Sequence, residues 1–515
     1  MYITKRITAS LMILGLALSA IGQAPPPQAP FPVKRVENAD MWLTDGWNAV
    51  EMAKKQKMRN GKAKNVILFV GDGMGISTMT AARIFEAQMR GESGEENRLS
   101  FEEFPFTALS KTYSVNQQTS DSAPTMSAMM TGVKTDDGVI SVNQNVVNGD
   151  HTTVAGNETK TLIQYAEESG RSTGVISTAR LTHATPAACY AHSPDRDWES
   201  DKDISNQSKP AHEAKFPDIA RQLIEFKYGD GLEVAFGGGR SKFLPNTAPD
   251  PEYADRKGER LDGRNLPAEW VARRKNSSYI WNKKQFDALD PKKDKQVLGL
   301  FEPSHMQYEH DRPQDSAGEP SLTEMTNKAI DILSTNKNGY FLMVEGGRVD
   351  HGHHDGNAYR ALGDTVALSD AVRATIRRVN LDETLIIVTA DHSHTFFIQG
   401  YPVRGNNILG LVRQVGANGA LADSYAADRN RKPFTTLGYA NGPGARTGER
   451  PNLTQAGVTD PNYKQEANIP MSSETHAGED VAIFATGVNA HLIRGSMEQN
   501  WIFFVMADAM RIGRK

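Results

Sequence analysis

Six short segments of this 515-residue chain are almost continuously apolar and rich in β-branched residues: 65–70 (NVILFV), 173–177 (TGVIS), 232–236 (LEVAF), 340–344 (YFLMV), 384–389 (TLIIVT) and 481–485 (VAIFA). A strand with one wet face alternates apolar and polar residues. A run with no polar face must be covered on both sides, as parallel strands are when helices pack above and below them. Segments of helical spacing lie between the runs: Leu362, Val366, Val372, Ile376 and Val379 fall on one face, with charges opposite. The alternation predicts an α/β three-layer sandwich with a mostly parallel central sheet. With 38% hydrophobic and 23% charged residues, the chain has the means to bury such a core. Residues 404–470 differ, being rich in Gly, Asn and Pro and short of long apolar runs. Long structureless loops are rare in compact domains, so this stretch is expected to be a small subdomain inserted into the main one.

The N-terminal residues read as an export signal over 1–24. Lys5 and Arg6 precede an apolar run, 7–21, that is short for a membrane span and is followed by small residues. Cleavage after Ser19, Gly22 or Ala24 is open, and an uncleaved anchor helix is the other reading. Pro25, Pro26, Pro27, Pro30 and Pro32 make a stiff spacer at the start of an N-terminal arm over 25–47, with the main domain spanning 48–515. No cysteine stands directly after the apolar run and no apolar tail closes the chain, so the expectation is an exported protein, periplasmic or secreted, without a stable membrane anchor. The single cysteine, Cys189, excludes an intrachain disulfide and a Cys-based zinc site. A net charge of −4 leaves no basic excess for a specific nucleic-acid partner.

In open α/β sheets ligands bind beyond the carboxyl ends of the strands. There the sequence places Asp72 after the first run, Glu345 to His354 (EGGRVDHGHH) after the fourth and Asp391-His392-Ser393-His394 after the fifth; Glu474-Thr475-His476 stands shortly before the sixth. One Asp after a strand is an ordinary turn residue. Four strands delivering carboxylates and imidazoles to one edge are not, because like charges gathered there repel unless cations neutralise them. Mixed His and carboxylate donors without thiolate suit catalytic zinc, and a Glu with a hydroxyl suits magnesium. Asp350 and His354, four residues apart, would face one ion from a single helical turn. His151, His212, His305, His310 and His491 read as plain core or surface histidines.

The segment 119–130 (TSDSAPTMSAMM) reads as a turn entering a helix, with Pro124 tolerated in the first turn. Ser122 then sits at the helix N-terminus, where free N–H groups and the dipole favour phosphate. A serine there is a helix cap or, if a metal activates it, a nucleophile; the Gly-x-Ser-x-Gly elbow of triad hydrolases is absent.

These motifs together resemble the alkaline phosphatases, the animal type more closely than the enteric bacterial type: Val70-Gly-Asp72-Gly-Met-Gly75, Asp121-Ser122-Ala123, the 345–354 run, Thr389-Ala-Asp391-His392-Ser-His394 and Glu474-Thr-His476-Ala-Gly-Glu479-Asp480. The resemblance spans about 48–507. It implies phosphate monoester hydrolysis through a phosphoserine on Ser122, with two zinc ions and one magnesium. Asp350, His354 and His476 correspond to the ligands of the first zinc, and Asp72, Asp391 and His392 to those of the second. Asp72 would also reach magnesium, together with Glu345, Thr185 and, through water, His183. Arg196 corresponds to the phosphate clamp, for which a planar guanidinium fork is suited; without the resemblance it reads as a surface partner of Asp195 or Asp197. Four carboxylates and a Ser122 alkoxide, set against three divalent ions and Arg196, leave a net charge of about +2 for a phosphate dianion. A fourth, calcium-type site is implied by Glu252, the Phe301 carbonyl, Glu302 and Glu319; animal members carry Asp at the last position. Tyr401 resembles a tyrosine that reaches a neighbouring subunit, implying a homodimer, and 404–470 corresponds to the crown that covers the dimer.

Two other readings remain. A sulfatase or phosphodiesterase of the same superfamily is one; the Ser-x-Pro-x-Arg pattern of sulfatases is broken here, since Met126 stands at the Arg position. The other is an exported metal- or phosphate-binding protein without turnover. Gly237-Gly238-Gly239-Arg240 reads as a structural turn rather than a phosphate cradle.

Overall fold

Strand register fixes where the chemistry of this chain meets. The structure, a computed structural model, describes residues 27–273 and 275–513; the expected export signal lies outside the described residues. The main sheet holds β1 (Asn65–Gly71), β2 (Phe106–Lys111), β3 (Ser172–Arg180), β4 (Val234–Gly238), β5 (Ser277–Ile280), β6 (Gln296–Leu300), β7 (Tyr340–Gly346) and β8 (Thr384–Ala390), with two late strands, Val481–Gly487 and Gly495–Glu498. Across the sheet the order is Gly495–Glu498, β2, Val481–Gly487, β8, β1, β7, β3, β4, β6, β5. All neighbours pair in parallel except Val481–Gly487, which is antiparallel to both β8 and β2.

All six apolar runs fall on strands, the 232–236 run entering its strand only at Val234, and side chains alternate between two cores. Val66, Leu68 and Val70 of β1, Phe341 and Met343 of β7, and Leu385 and Ile387 of β8 face one core. Ile67, Phe69, Leu342, Val344, Ile386 and Val388 face the other. This is the two-sided burial that an unbroken apolar run requires. Burial on both faces does not report direction, so the 481–485 run looks the same in sequence although it runs backwards. Its reversal brings its N-terminal end to the edge where β1, β7 and β8 finish. β2 has exposed residues alternating with buried ones over much of its length and therefore left no unbroken run.

In register, Gly71 at the end of β1 sits between Gly346 of β7 and Ala390 of β8. Asp72, Glu345 and Asp391 consequently emerge side by side. Residues after β8 fold back in two small sheets. One joins Phe396–Ile398, Leu437–Gly442 and Ala467–Pro470. The other clasps His476–Ala477 antiparallel to Ser393–His394, pairing His476 with His394. The 404–470 stretch is thus mostly turns and bridges, and two of its segments, Leu437–Gly442 and Ala467–Pro470, join Phe396–Ile398 from outside it in a small sheet.

Helix α1 (Ala39–Lys54) starts at Asn38, whose side chain accepts the Met41 N–H at 2.8 Å. It passes through residue 48, where the sequence reading opens the main domain, and none of its residues is buried. Among the described residues, no helix is long and apolar enough to cross a membrane.

Phe341 is fully buried at the centre of the sheet, whereas Leu109 on β2 is 37% exposed. Phe341→Ala should cost about 3–5 kcal/mol and lower the guanidinium unfolding midpoint. Leu109→Ala should shift that midpoint by less than a third as much.

Candidate metal centre

The level strand ends place the side chains of Asp72, Glu345, Asp350 and Asp391, all at most 3% exposed, at one edge of the sheet. The helix Arg348–His354 follows β7 directly and carries Asp350 and His354 one turn apart. Helix α2 (Ile76–Met89) follows β1, and α3 (Ser122–Thr131) opens on Ser122 with Asp121 as its cap.

The side chains form three pockets. In the first, Asp350 Oδ1 lies 3.2 Å from His354 Nε2 and 3.4 Å from His476 Nε2. Those two Nε2 atoms are 3.1 Å apart. Each ring is oriented through its other nitrogen: His354 Nδ1 lies 2.6 Å from the Glu474 carbonyl and His476 Nδ1 2.9 Å from the Ser120 carbonyl. With Nδ1 donating to a carbonyl, each Nε2 is the atom turned toward Asp350 and would be the ligand of an ion bound there, the usual support of a metal-binding histidine.

In the second pocket, His392 Nε2 is 3.4 Å from Asp72 Oδ1 and 3.3 Å from Asp391 Oδ2. Ser122 Oγ lies 3.0 Å from the same Nε2 and 3.5 Å from Asp72 Oδ1. The other oxygen of Asp391 accepts the Gly73 and His392 N–H groups at 3.0 Å each. In the third, Asp72, His183 and Glu345 offer ligand atoms within 4.8 Å of one another. Glu345 is hydrogen-bonded by the Ser177 hydroxyl, and Thr185 is fully buried next to His183.

Burial first, and then the neighbouring carboxylates, push Asp72 well above the ordinary carboxylate range. Glu345 is pushed up to about 8, chiefly by burial. Burial likewise holds His392 and His183 well below the usual imidazole range, as neutral donors. Asp72 Oδ2, Asp391 Oδ2, Glu345 Oε1, Asp350 Oδ1 and Thr185 Oγ1 are buried without hydrogen-bond partners. Orphaned oxygens at this density cost several kcal/mol unless something positive sits among them. The donor set, imidazole with carboxylate in two pockets and mostly oxygen in the third, fits divalent metal ions.

Arg196 pairs with Asp121, the residue before the serine, and its Nη2 lies 3.0 Å from His183 Nε2. Asp197 stands off at 3.9 Å, so the expected surface pair is secondary. Sequence reasoning assigned no role to Asp121, His394 or Glu474. His394 Nε2 lies 3.0 Å from Asp350 Oδ1, and its Nδ1 lies 2.6 Å from Glu474 Oε2. His305, read as a plain histidine, packs its ring 3.9 Å from His351 and 5.4 Å from His183. The remaining expected residues gather elsewhere on the same edge. Phe301 and Glu302 follow β6; Glu252 and Glu319 come from loops, and Glu319 is pushed up to about 9 by burial and by the charges of Glu302 and Asp315. Arg240 is fully buried and bound to Asp250 and Glu252, as a structural turn requires.

Gly73 turns with φ +65°, and a Cβ there would stand 2.2 Å from His394 Nε2. Gly73→Ala should therefore displace His394 and, through it, Asp350, lowering bound metal by elemental analysis about ten-fold or more at limiting metal. Unchanged metal content would show that His394 does not support the first pocket.

The alkaline phosphatase family model matches residues 63–512. The chain is 44% identical over 466 residues to the alkaline phosphatase of Gadus morhua, covering 89% of this chain and 94% of that one. It is also 44% identical over 466 residues to the tissue-nonspecific isozyme of Homo sapiens, covering 89% and 86%. Among solved structures, Thermus thermophilus alkaline phosphatase superposes with a TM-score of 0.62 at 22% identity, covering 90% of this chain and 94% of that one. A variant of the Antarctic bacterium TAB5 enzyme, described with magnesium in its M3 site, gives 0.57 at 20% identity, covering 89% and 100%. The extent of the family match and the identity to its curated members establish that this chain belongs to the alkaline phosphatase family, as a metal-dependent phosphomonoesterase.

Proposed function

We propose that phosphate monoesters are hydrolysed through a phosphoserine on Ser122. The observation that carries this reading is the position of Ser122 Oγ, 3.0 Å from His392 Nε2 and 3.5 Å from Asp72 Oδ1. Asp350, His354 and His476 would hold one zinc, Asp72, Asp391 and His392 a second, and Asp72, Glu345 and Thr185 with His183 a magnesium. Bound there, the ions supply Lewis acidity that favours the serine alkoxide and the charge on the leaving oxygen.

The chain's own groups do the rest. Ser122 Oγ attacks phosphorus in line; the Oγ–P bond forms, the ester P–O bond breaks, and the departing alcohol gains the proton that the serine lost. Water then cleaves Oγ–P from the opposite side, releasing inorganic phosphate and restoring the hydroxyl. Arg196, part-buried and held charged by Asp121, grips two phosphate oxygens. The N-terminus of α3 adds its dipole to the same anion.

Calcium at Glu252, Phe301, Glu302 and Glu319 belongs to the same reading. So does a homodimer, with 404–470 as its crown. It is supported by α1, whose Trp42, Leu43 and Trp47 are 53, 64 and 68% exposed, and by Tyr401, 90% exposed at φ +55°. The N-terminal segment supports export, to the periplasm or the medium.

Ser122→Ala should abolish acid-trapped phosphoenzyme and p-nitrophenyl phosphate turnover, and EDTA should abolish turnover reversibly; turnover surviving both defeats the assignment. Arg196→Lys should raise KM with a loss of about ten-fold or more in kcat/KM, because a lysine cannot make the two-pronged contact. A panel of monoesters, diesters and sulfates should show preference for monoesters. Trp42→Glu with Trp47→Glu should convert the dimer to monomer in sedimentation; an unchanged sedimentation coefficient counts against α1 as the contact.

A further inference from the structure

Beyond the catalytic pockets, a second group of acids gathers past the ends of β4 and β6. Glu302 is 2% exposed, and its Oε1 accepts the Tyr253 hydroxyl at 3.1 Å and the Gln307 side-chain N–H at 2.9 Å. Glu319 is also 2% exposed; its Oε1 accepts the Gln307 backbone N–H at 2.9 Å, while Oε2 is buried with no partner. Glu252 is held by Arg240 at 3.0 Å and by the Ala317 N–H at 3.3 Å. A fourth acid, Asp315, is near enough to Glu252 and Glu302 for their side chains to act on it, and its charge acts in turn on Glu319. Its Oδ2 is buried and unpartnered as well.

Positive charge is short here. Arg240 is shared with Asp250, which it binds at 2.8 and 2.9 Å. Arg312 is taken up by Glu309 at 2.9 and 2.6 Å. Four carboxylates thus converge, two of them with an oxygen that is buried without a protein partner, and a bound cation would satisfy both. The donors are all oxygen, which suits a hard ion with irregular, high coordination. The Gln307 N–H fixes one oxygen of Glu319 and leaves the other free, so the longer side chain still presents an oxygen to the group.

We infer that Asp315 is a ligand of the calcium-type site, which this chain closes with four carboxylates, Glu252, Glu302, Asp315 and Glu319. This rests on the calcium reading above and adds a residue to it. Asp315 lies in the loop that also sends the Ala317 N–H to Glu252, so the ion ties that loop to the ends of β4 and β6. An added carboxylate raises affinity for a divalent ion, since charge count is what tunes oxygen sites.

The test is equilibrium dialysis of the zinc- and magnesium-loaded enzyme against labelled calcium, with the melting temperature read alongside. Wild type should take up one calcium per chain, and calcium should raise its melting temperature. Asp315→Asn should bind calcium about ten-fold more weakly or worse, as should Glu319→Gln, whereas Asp255→Asn, an exposed acid near Glu252, should match wild type. Zinc content equal to wild type shows that each variant has folded. If Asp315→Asn binds as tightly as wild type while Glu319→Gln is weakened, the inference fails and the calcium site stands. If wild type binds no calcium, both fail.

Discussion

Repulsion among buried carboxylates governs this structure. Asp72, Glu345, Asp350 and Asp391 are almost without solvent, and removing an ionised carboxylate from water costs several kcal/mol even after relaxation. Protonation would relieve the strain, and the upward pressure on Asp72, Asp391 and Glu345 records that tendency. Divalent ions relieve it better, because they also satisfy the orphaned oxygens. Metal is therefore part of what holds the edge of the sheet together as well as part of the chemistry. With Cys189 as the only cysteine, no covalent crosslink within the chain shares that task.

The scaffold prepares the pockets before any ion arrives. Level strand ends set Asp72, Glu345 and Asp391 side by side. One helical turn sets Asp350 against His354. Backbone carbonyls of Glu474 and Ser120 turn two imidazoles toward the same oxygen. Glu474 acts twice, through its carbonyl on His354 and through its carboxylate on His394. Rigid donors lose little entropy on binding, so affinity follows from geometry already present in the chain.

What the sequence made legible follows from the same physics. Six adjacent interior strands with two dry faces announce themselves as apolar runs; β2, next to the sheet edge, alternates exposed Thr107, Leu109 and Lys111 with buried Ala108 and Ser110 and does not. Strand direction left no trace, which is why the reversed Val481–Gly487 was indistinguishable from its parallel neighbours. Asp72, Glu345 and Asp391 were legible because position after a strand is a local property. Their metal assignments came from the family resemblance rather than from spacing. Asp121 and Glu474 were not legible, since their partners Arg196 and His394 are 75 and 80 residues away. Asp315 shows no pattern at all in its loop; proximity to Glu252 and Glu302 exists only once β4 and β6 are paired.

The clasp between Ser393–His394 and His476–Ala477 has a topological consequence. The chain between those residues, 395–475, is closed into one long loop whose two ends meet in a hydrogen-bonded pair beside the first pocket. Groups inside the loop also reach the main domain: the Tyr439 hydroxyl lies 2.8 Å from His353 Nδ1, and the Gln88 side chain bonds the Asn406 carbonyl and the Ile408 N–H. The loop is thus anchored at its ends and along its length, and a change inside it that moved either anchor would be felt at the first pocket.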